Sequence, residues 1–190
     1  MSLDRKINRI QFLSGNSLKV IAVLTMLIDH LCKIVLQWLL SNYWGSMVDN
    51  EQMSWERFQE IDNLIRFDLQ SIGTIAFPLF CFLLAEGFQH TRSKKRYIGL
   101  MLAFALISEI PFDIGFFSAY SRMEGTFPFY LKYQNVFFTL FLGLLTLVCL
   151  ERFSCKSDLP VDRIKSAVLQ VLSVVLFSGI AEGIHCDYGM

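Results

Sequence analysis

Charge is scarce in this sequence. Asp, Glu, Lys and Arg make up 18% of its 190 residues, against about 25% in a soluble domain. Proline is limited to four residues and glycine to eleven, and there is no internal repeat or low-complexity tract. A disordered or ordinary soluble chain is therefore excluded. Net charge is zero, with 17 basic and 17 acidic residues, so the basic footprint of a nucleic-acid binder is missing and no nucleic-acid partner is expected. No Cys-x-x-Cys pair occurs among Cys32, Cys81, Cys149, Cys155 and Cys186, three of which lie inside apolar runs. That fits neither a disulfide framework nor a zinc ribbon. His185-Cys186-Asp187 carries metal-capable side chains, but three adjacent residues on a helix cannot converge on one ion, and no metal is expected. A Walker loop, a His-Glu-x-x-His helix and a Ser-His-Asp order are also missing.

What is present is apolar bulk. The chain is 54% hydrophobic and 14% aromatic, with 18 Phe and seven Met, at a mean hydropathy of +0.46. A membrane helix needs about 20 mostly apolar residues. Five segments qualify, at about 18–40, 72–90, 97–117, 135–151 and 166–184. The reading is an all-α, polytopic integral membrane protein of one domain. The first segment is too long for a signal peptide, carries Asp29, His30 and Lys33 at its middle, and is followed by no A-x-A cleavage site, so it is expected to be retained. In the first outer loop, the spacing of Trp55, Phe58, Ile61, Asp62 and Ile65 suggests an amphipathic helix on the membrane surface.

Lys and Arg set the orientation. Arg5, Lys6, Arg9 and Lys19 precede or open the first span. Arg92, Lys94, Lys95 and Arg96 lie between the second and third. Arg152, Lys156, Arg163 and Lys165 lie between the fourth and fifth. The other two loops hold only Arg57, Arg66, Arg122 and Lys132. This alternation predicts a multi-pass protein with a cytoplasmic N-terminus and an outer C-terminus.

A charged side chain at a helix centre costs about 2.5–3.5 kcal/mol on insertion scales, and such residues face a cavity or one another. Asp29 and His30 stand at the middle of the first span, with Lys33 one turn on; Glu109 and Asp113 occupy one face of the third. Asp29 and Lys33 have the favourable acid-then-base spacing for an ion pair. Five ionisable groups at similar depth point to a polar cavity. Glu86, and Asn135 with Thr139 one turn apart, are further candidates to line it. Lys19 and His30, eleven residues apart, share a helix face at a rise of about 16 Å. A cation at the mouth suits phosphate, and an imidazole near a carboxylate suits general base chemistry. Adjacent helix residues diverge by about 100°, so Glu109 is a better candidate than Asp29 to orient His30 directly. A long thioester donor, an acyl-coenzyme A, fits this span, with its nucleotide held by Lys19, Arg92, Lys94, Lys95 and Arg96.

Six motifs, in order, resemble the TraX family. They are Leu18-Lys-Val-Ile-Ala-Val-Leu-Thr-Met-Leu-Ile-Asp-His30, Gly73-Thr-Ile-Ala-Phe-Pro78, Glu86-Gly-Phe-Gln-His90-Thr91, Ser108-Glu-Ile-Pro-Phe-Asp113, Gln134-Asn-Val-Phe-Phe-Thr139-Leu and Asp187-Tyr-Gly189. The family includes a conjugation-system membrane protein that acetylates the N-terminus of pilin. It also resembles the transmembrane acyltransferases, whose basic-x10-His motif is matched by Lys19 and His30. The resemblance implies transfer of acetyl from cytosolic acetyl-CoA to a peptide, glycan or small-molecule acceptor. It implies a bacterial plasma (inner) membrane protein with further spans beyond Met190, so that this chain is expected to be a shortened form; the catalytic residues expected are His30, as general base or site of a transient acyl group, with Asp29 and Glu109 tuning or orienting it. Thr74 departs from the basic residue expected in the second motif. Two other classes account for the same residues: a small proton-coupled transporter using the midplane carboxylates and His30, and a non-catalytic assembly factor whose charges pair helices.

Overall fold

The computed structural model describes residues 14–155 and 159–187. Among the described residues there are five long helices, and extended pairing is confined to one isolated parallel bridge between Gln134 and Cys186. We label the helices α1 (Gly15–Asp49), α2 (Trp55–His90), α3 (Lys94–Glu124), α4 (Val136–Arg152) and α5 (Pro160–Gly183). α1, α2, α3 and α5 are each long and apolar enough to cross a bilayer. α4 has 17 residues, about 25 Å of helix and the lower end of the spanning range. The all-α membrane architecture expected from composition is the observed one.

Each helix begins where the sequence supplies a cap. The hydroxyls of Ser14, Ser54 and Ser93 accept from the backbone N–H groups of Ser17, Arg57 and Arg96, and Asn135 accepts from Phe137. These are residues whose oxygen replaces a missing intrahelical acceptor. α5 opens with Pro160 in its first turn, where the missing N–H costs nothing. α3 closes on Gly125 at φ 71°, a left-handed cap that glycine adopts without strain.

The chain divides into two compact units, and the division falls at Leu83 and Leu84 within α2. In the first unit, Cys32, Leu40 and Ile65 form a buried cluster, with Ile28, Leu36, Trp44, Phe58, Ile61 and Leu69 packed on it. In the second, Leu142, Ala181 and Cys186 form another, covered by Phe138, Phe141, Leu145 and Phe177. The outward faces are apolar: Val20, Val23, Leu24 and Leu27 on α1, and Val168, Val171, Leu172 and Val175 on α5, are all exposed. Large aliphatic side chains on such long helices fit lipid contact rather than water.

The surface helix expected in the first outer loop is not a separate element. Residues 55–63 are helical, but they are the opening turns of α2. Phe58, Ile61 and Ile65 belong to the cluster with Cys32 and Leu40, so that face is covered by α1. The linker is only the short stretch between Asp49 and Trp55. α1 continues past residue 40 with its polar side chains bonded back to its own carbonyls. Ser41 donates to the Gln37 carbonyl, Asn42 to Trp38, and Ser46 to Tyr43.

Both helices of this unit contain wide turns. Gln37 N–H donates to the Cys32 carbonyl and Gly45 N–H to that of Leu40, five residues back in each case; Gln70 donates likewise to Ile65. Such π turns insert one extra residue and are frequent at functional sites. The first starts at Leu31, immediately after His30. α2 is irregular again at Ile75, whose N–H bonds three residues back to Ile72. Pro78 accounts for this, because it has no N–H to offer the Thr74 carbonyl.

Candidate active site

The first unit brings two of the family-like motifs together. Asp29 lies near the end of the regular α-helical part of α1 and is 3% exposed. Its Oδ2 stands 2.8 Å from Lys33 Nζ and 3.8 Å from His30 Nδ1. The acid-then-base pair expected from spacing is therefore made. Asp29 Oδ1 is buried and accepts no hydrogen bond among the described residues. Against it lies Gly73 of α2: a Cβ built there would be 2.5 Å from Asp29 Cβ and 2.8 Å from Oδ1.

His30 is half-buried, and its Nδ1 lies 3.0 Å from the Met26 carbonyl oxygen. A carbonyl only accepts, so this contact puts the proton on Nδ1 and makes Nε2 the basic nitrogen. The backbone of Gly15–His30 is α-helical throughout. The phase relation between Lys19 and His30 therefore holds, and exposed Lys19 shares the His30 face about 16 Å away along the axis. Asp29 is closer to the ring than the divergence of adjacent residues suggests, because its carboxylate swings toward Lys33 and brings Oδ2 near Nδ1.

The second unit gathers three further motifs. Glu109 and Asp113 are buried one turn apart on α3. Glu109 Oε2 accepts from the Asn135 backbone N–H at 3.3 Å and from Asn135 Nδ2. Asp113 Oδ2 accepts from the Tyr130 N–H at 2.7 Å. The same Asn135 donates to the Ala105 carbonyl and caps α4. Thr139 donates to the Asp187 carbonyl, the Tyr133 hydroxyl reaches Asp187 Oδ1, and Gln134 pairs by backbone with His185 and Asp187. The carboxylates of α3 thus tie down the segment leading into α4, and that segment holds the stretch after α5. One oxygen of each acid, Glu109 Oε1 and Asp113 Oδ1, is buried and has no hydrogen-bond partner among the described residues. A cleft in this unit is lined by Leu131, Lys132, Gln134, Gly183, Ile184 and His185, and neither acid opens into it.

The basic run is partly committed elsewhere. Lys94 pairs with Glu151 and lies 4.4 Å from the centroid of the Phe88 ring. Arg92, Lys95 and Arg96 are exposed around the start of α3, and Glu86 is exposed near the end of α2. No group of three or more metal-capable side chains occurs among the described residues.

Sequence reasoning missed Gly73 as a contact residue and missed Tyr130 and Asp187 as partners. A glycine inside a helix disfavours it by roughly 0.5–1 kcal/mol relative to alanine, which was the available signal for Gly73. Tyr130 acts through its backbone N–H and Asp187 partly through its carbonyl, and neither leaves a mark on residue type.

Long apolar helices with carboxylates turned inward define a polytopic helical membrane protein built around buried polar groups. The chain belongs to the TraX protein family, whose pattern it matches over residues 14–190. It is 29% identical over 181 residues to "Probable fimbrial assembly protein FimC, serogroup H1" of Dichelobacter nodosus, an alignment covering 93% of this chain and 57% of that protein. The chain therefore spans little more than half of that relative's length. No solved structure matches it.

Proposed function

We propose that this protein is a membrane acyltransferase. It moves an acetyl group from cytosolic acetyl-CoA to an amine or hydroxyl acceptor. The observation that carries the reading is the state of His30: Nδ1 faces the Met26 carbonyl, Nε2 is the basic atom, and the Asp29 carboxylate lies alongside. This is a general base held near a counter-charge in a low-dielectric setting. The relative's name, a fimbrial assembly protein, favours a pilin-like N-terminal amine as acceptor. The distribution of Lys and Arg favours an N-terminus in the cytoplasm, and spanning by apolar helices rather than a closed barrel favours the inner membrane.

In this reading Nε2 takes a proton from the neutral acceptor amine or hydroxyl as the lone pair attacks the thioester carbonyl. The C–S bond of the tetrahedral centre breaks, and His30 returns the proton to the departing thiolate. The products are the acetylated acceptor, free CoA and a neutral His30. Lys19, exposed on the His30 face of α1, would meet the donor's phosphates, whereas Lys94 is already shared with Glu151. Glu109 and Asp113 would support the assembly, through the segment they hold, rather than the proton transfer itself.

The test is thiol release from acetyl-CoA by the purified protein in lipid nanodiscs, with a pilin N-terminal peptide as acceptor. Release is expected, and His30→Ala should abolish it while the protein stays folded. Release unaffected by His30→Ala would sink the assignment. A specific observation favours one rival: Asp29, Glu109 and Asp113 each hold a buried oxygen with no partner among the described residues, and buried acids of this kind line proton paths in transporters. Proton-driven uptake in proteoliposomes, with no acetyl-CoA turnover, would favour that reading.

A further inference from the structure

Gly73 is buried inside α2 and is not at a left-handed turn, so conformational freedom does not account for a glycine there. Its neighbourhood does. A Cβ at position 73 would meet Asp29 Cβ at 2.5 Å, Oδ1 at 2.8 Å and Cα at 2.9 Å. Two of these are atoms of, or next to, the α1 backbone, so a rotamer change cannot relieve the overlap, and even one methyl must push the helices apart. The close approach has a directional result. The α2 backbone closes over the Oδ1 side of the carboxylate, which is buried with no partner among the described residues. Oδ2 is left toward Lys33 and His30. The α1 backbone turns wide immediately after His30, so the contact lies at the last regular turn before that change of pitch.

We propose that Gly73 is a positioning residue for the His30 base, acting through Asp29. This rests on the acyltransferase reading for its kinetic consequence but not for its structural one. The Gly73 backbone fixes where the Asp29 carboxylate sits, and Asp29 Oδ2 fixes the field at the His30 ring. Neither residue touches the acceptor or the donor.

Two variants test this, each with two readouts. Gly73→Ala displaces the carboxylate. Asp29→Asn keeps its size and its packing against Gly73 but removes the charge. In the thiol-release assay, Gly73→Ala is expected to lower kcat by about a hundredfold, the scale of an ångström-level misplacement, and Asp29→Asn to lower it through loss of the charge, with KM for acetyl-CoA unchanged in both. The second readout needs no turnover. The chain has three histidines, and His90 and His185 are exposed internal references. Diethyl pyrocarbonate labelling followed by mass spectrometry should show the His30 modification rate changed severalfold in both variants, with His90 and His185 unchanged. If Gly73→Ala does not fold, Asp29→Asn decides. Wild-type labelling and wild-type kcat in the folded variants would overturn the proposal. A changed labelling rate in a protein without acetyl-CoA turnover would keep the contact and overturn the acyltransferase reading.

Discussion

Asn135 makes one amide do three things. Its Oδ1 caps α4, its Nδ2 donates to the Ala105 carbonyl, and the same nitrogen donates to Glu109. Removing it leaves a buried carboxylate with only the backbone N–H of residue 135, and an uncapped helix. Asn135→Ala should therefore cost about 2–4 kcal/mol, summing a lost cap and a buried acceptor left short of donors. Asn135→Ser keeps a capping oxygen and should lose less. Denaturation midpoints in a common detergent would rank them, and equal midpoints would show that Glu109 does not depend on the amide. At this scale the sequence was informative about acids and silent about their partners. Asp29, Glu109 and Asp113 stand out because carboxylates are costly in apolar helices. The donors to Asp113 and, in part, Glu109 are backbone N–H groups, which every residue but proline carries.

At the scale of elements, the positions of the five helices were legible and their ends were not. Hydropathy falls after residue 40, yet α1 runs to Asp49, with serine and asparagine side chains bonded back to helix carbonyls. The opening of α2 was read with the right periodicity and the wrong environment. An amphipathic face is the same pattern whether lipid headgroups or another helix cover it. The two environments differ in which aromatic matters. Trp55 is 59% exposed, whereas Phe58 packs on the Cys32, Leu40 and Ile65 cluster. Phe58→Ala should lower stability by about 1–3 kcal/mol, below the range for a fully buried phenylalanine because Phe58 is half-buried. Trp55→Ala loses only an exposed stacking contact with Phe58, 5.3 Å between ring centroids, and should cost less. A surface helix would show the opposite order, with Trp55→Ala weakening membrane contact most.

At the scale of the molecule, the family-like motifs are far apart in sequence because each pair meets across helices. The first motif meets the second at Asp29 and Gly73 within one unit. The fourth, fifth and sixth meet through Glu109, Asn135, Thr139 and Asp187 within the other. What orients them in the membrane is charge, and two native thiols make that testable. Cys155 is exposed between α4 and α5, where the proposed topology is cytoplasmic. A membrane-impermeant maleimide should label it in inside-out vesicles and not in right-side-out ones. Gln52→Cys, in the linker between α1 and α2, should behave the opposite way. Cys186, just past α5, is buried, and burial is the main cause that lifts its thiol above the ordinary value; Glu109 and Asp187 add to it, and Thr139 opposes it. The thiolate is the reactive form. A raised pKa therefore leaves less of it at neutral pH, so Cys186 should label slowly there and faster as pH rises. That rise should begin at higher pH than for Cys155. Labelling of Cys155 from the outer side would reverse the topology and move Lys19 away from the cytosolic donor, so this measurement also bears on which side acetyl-CoA can enter.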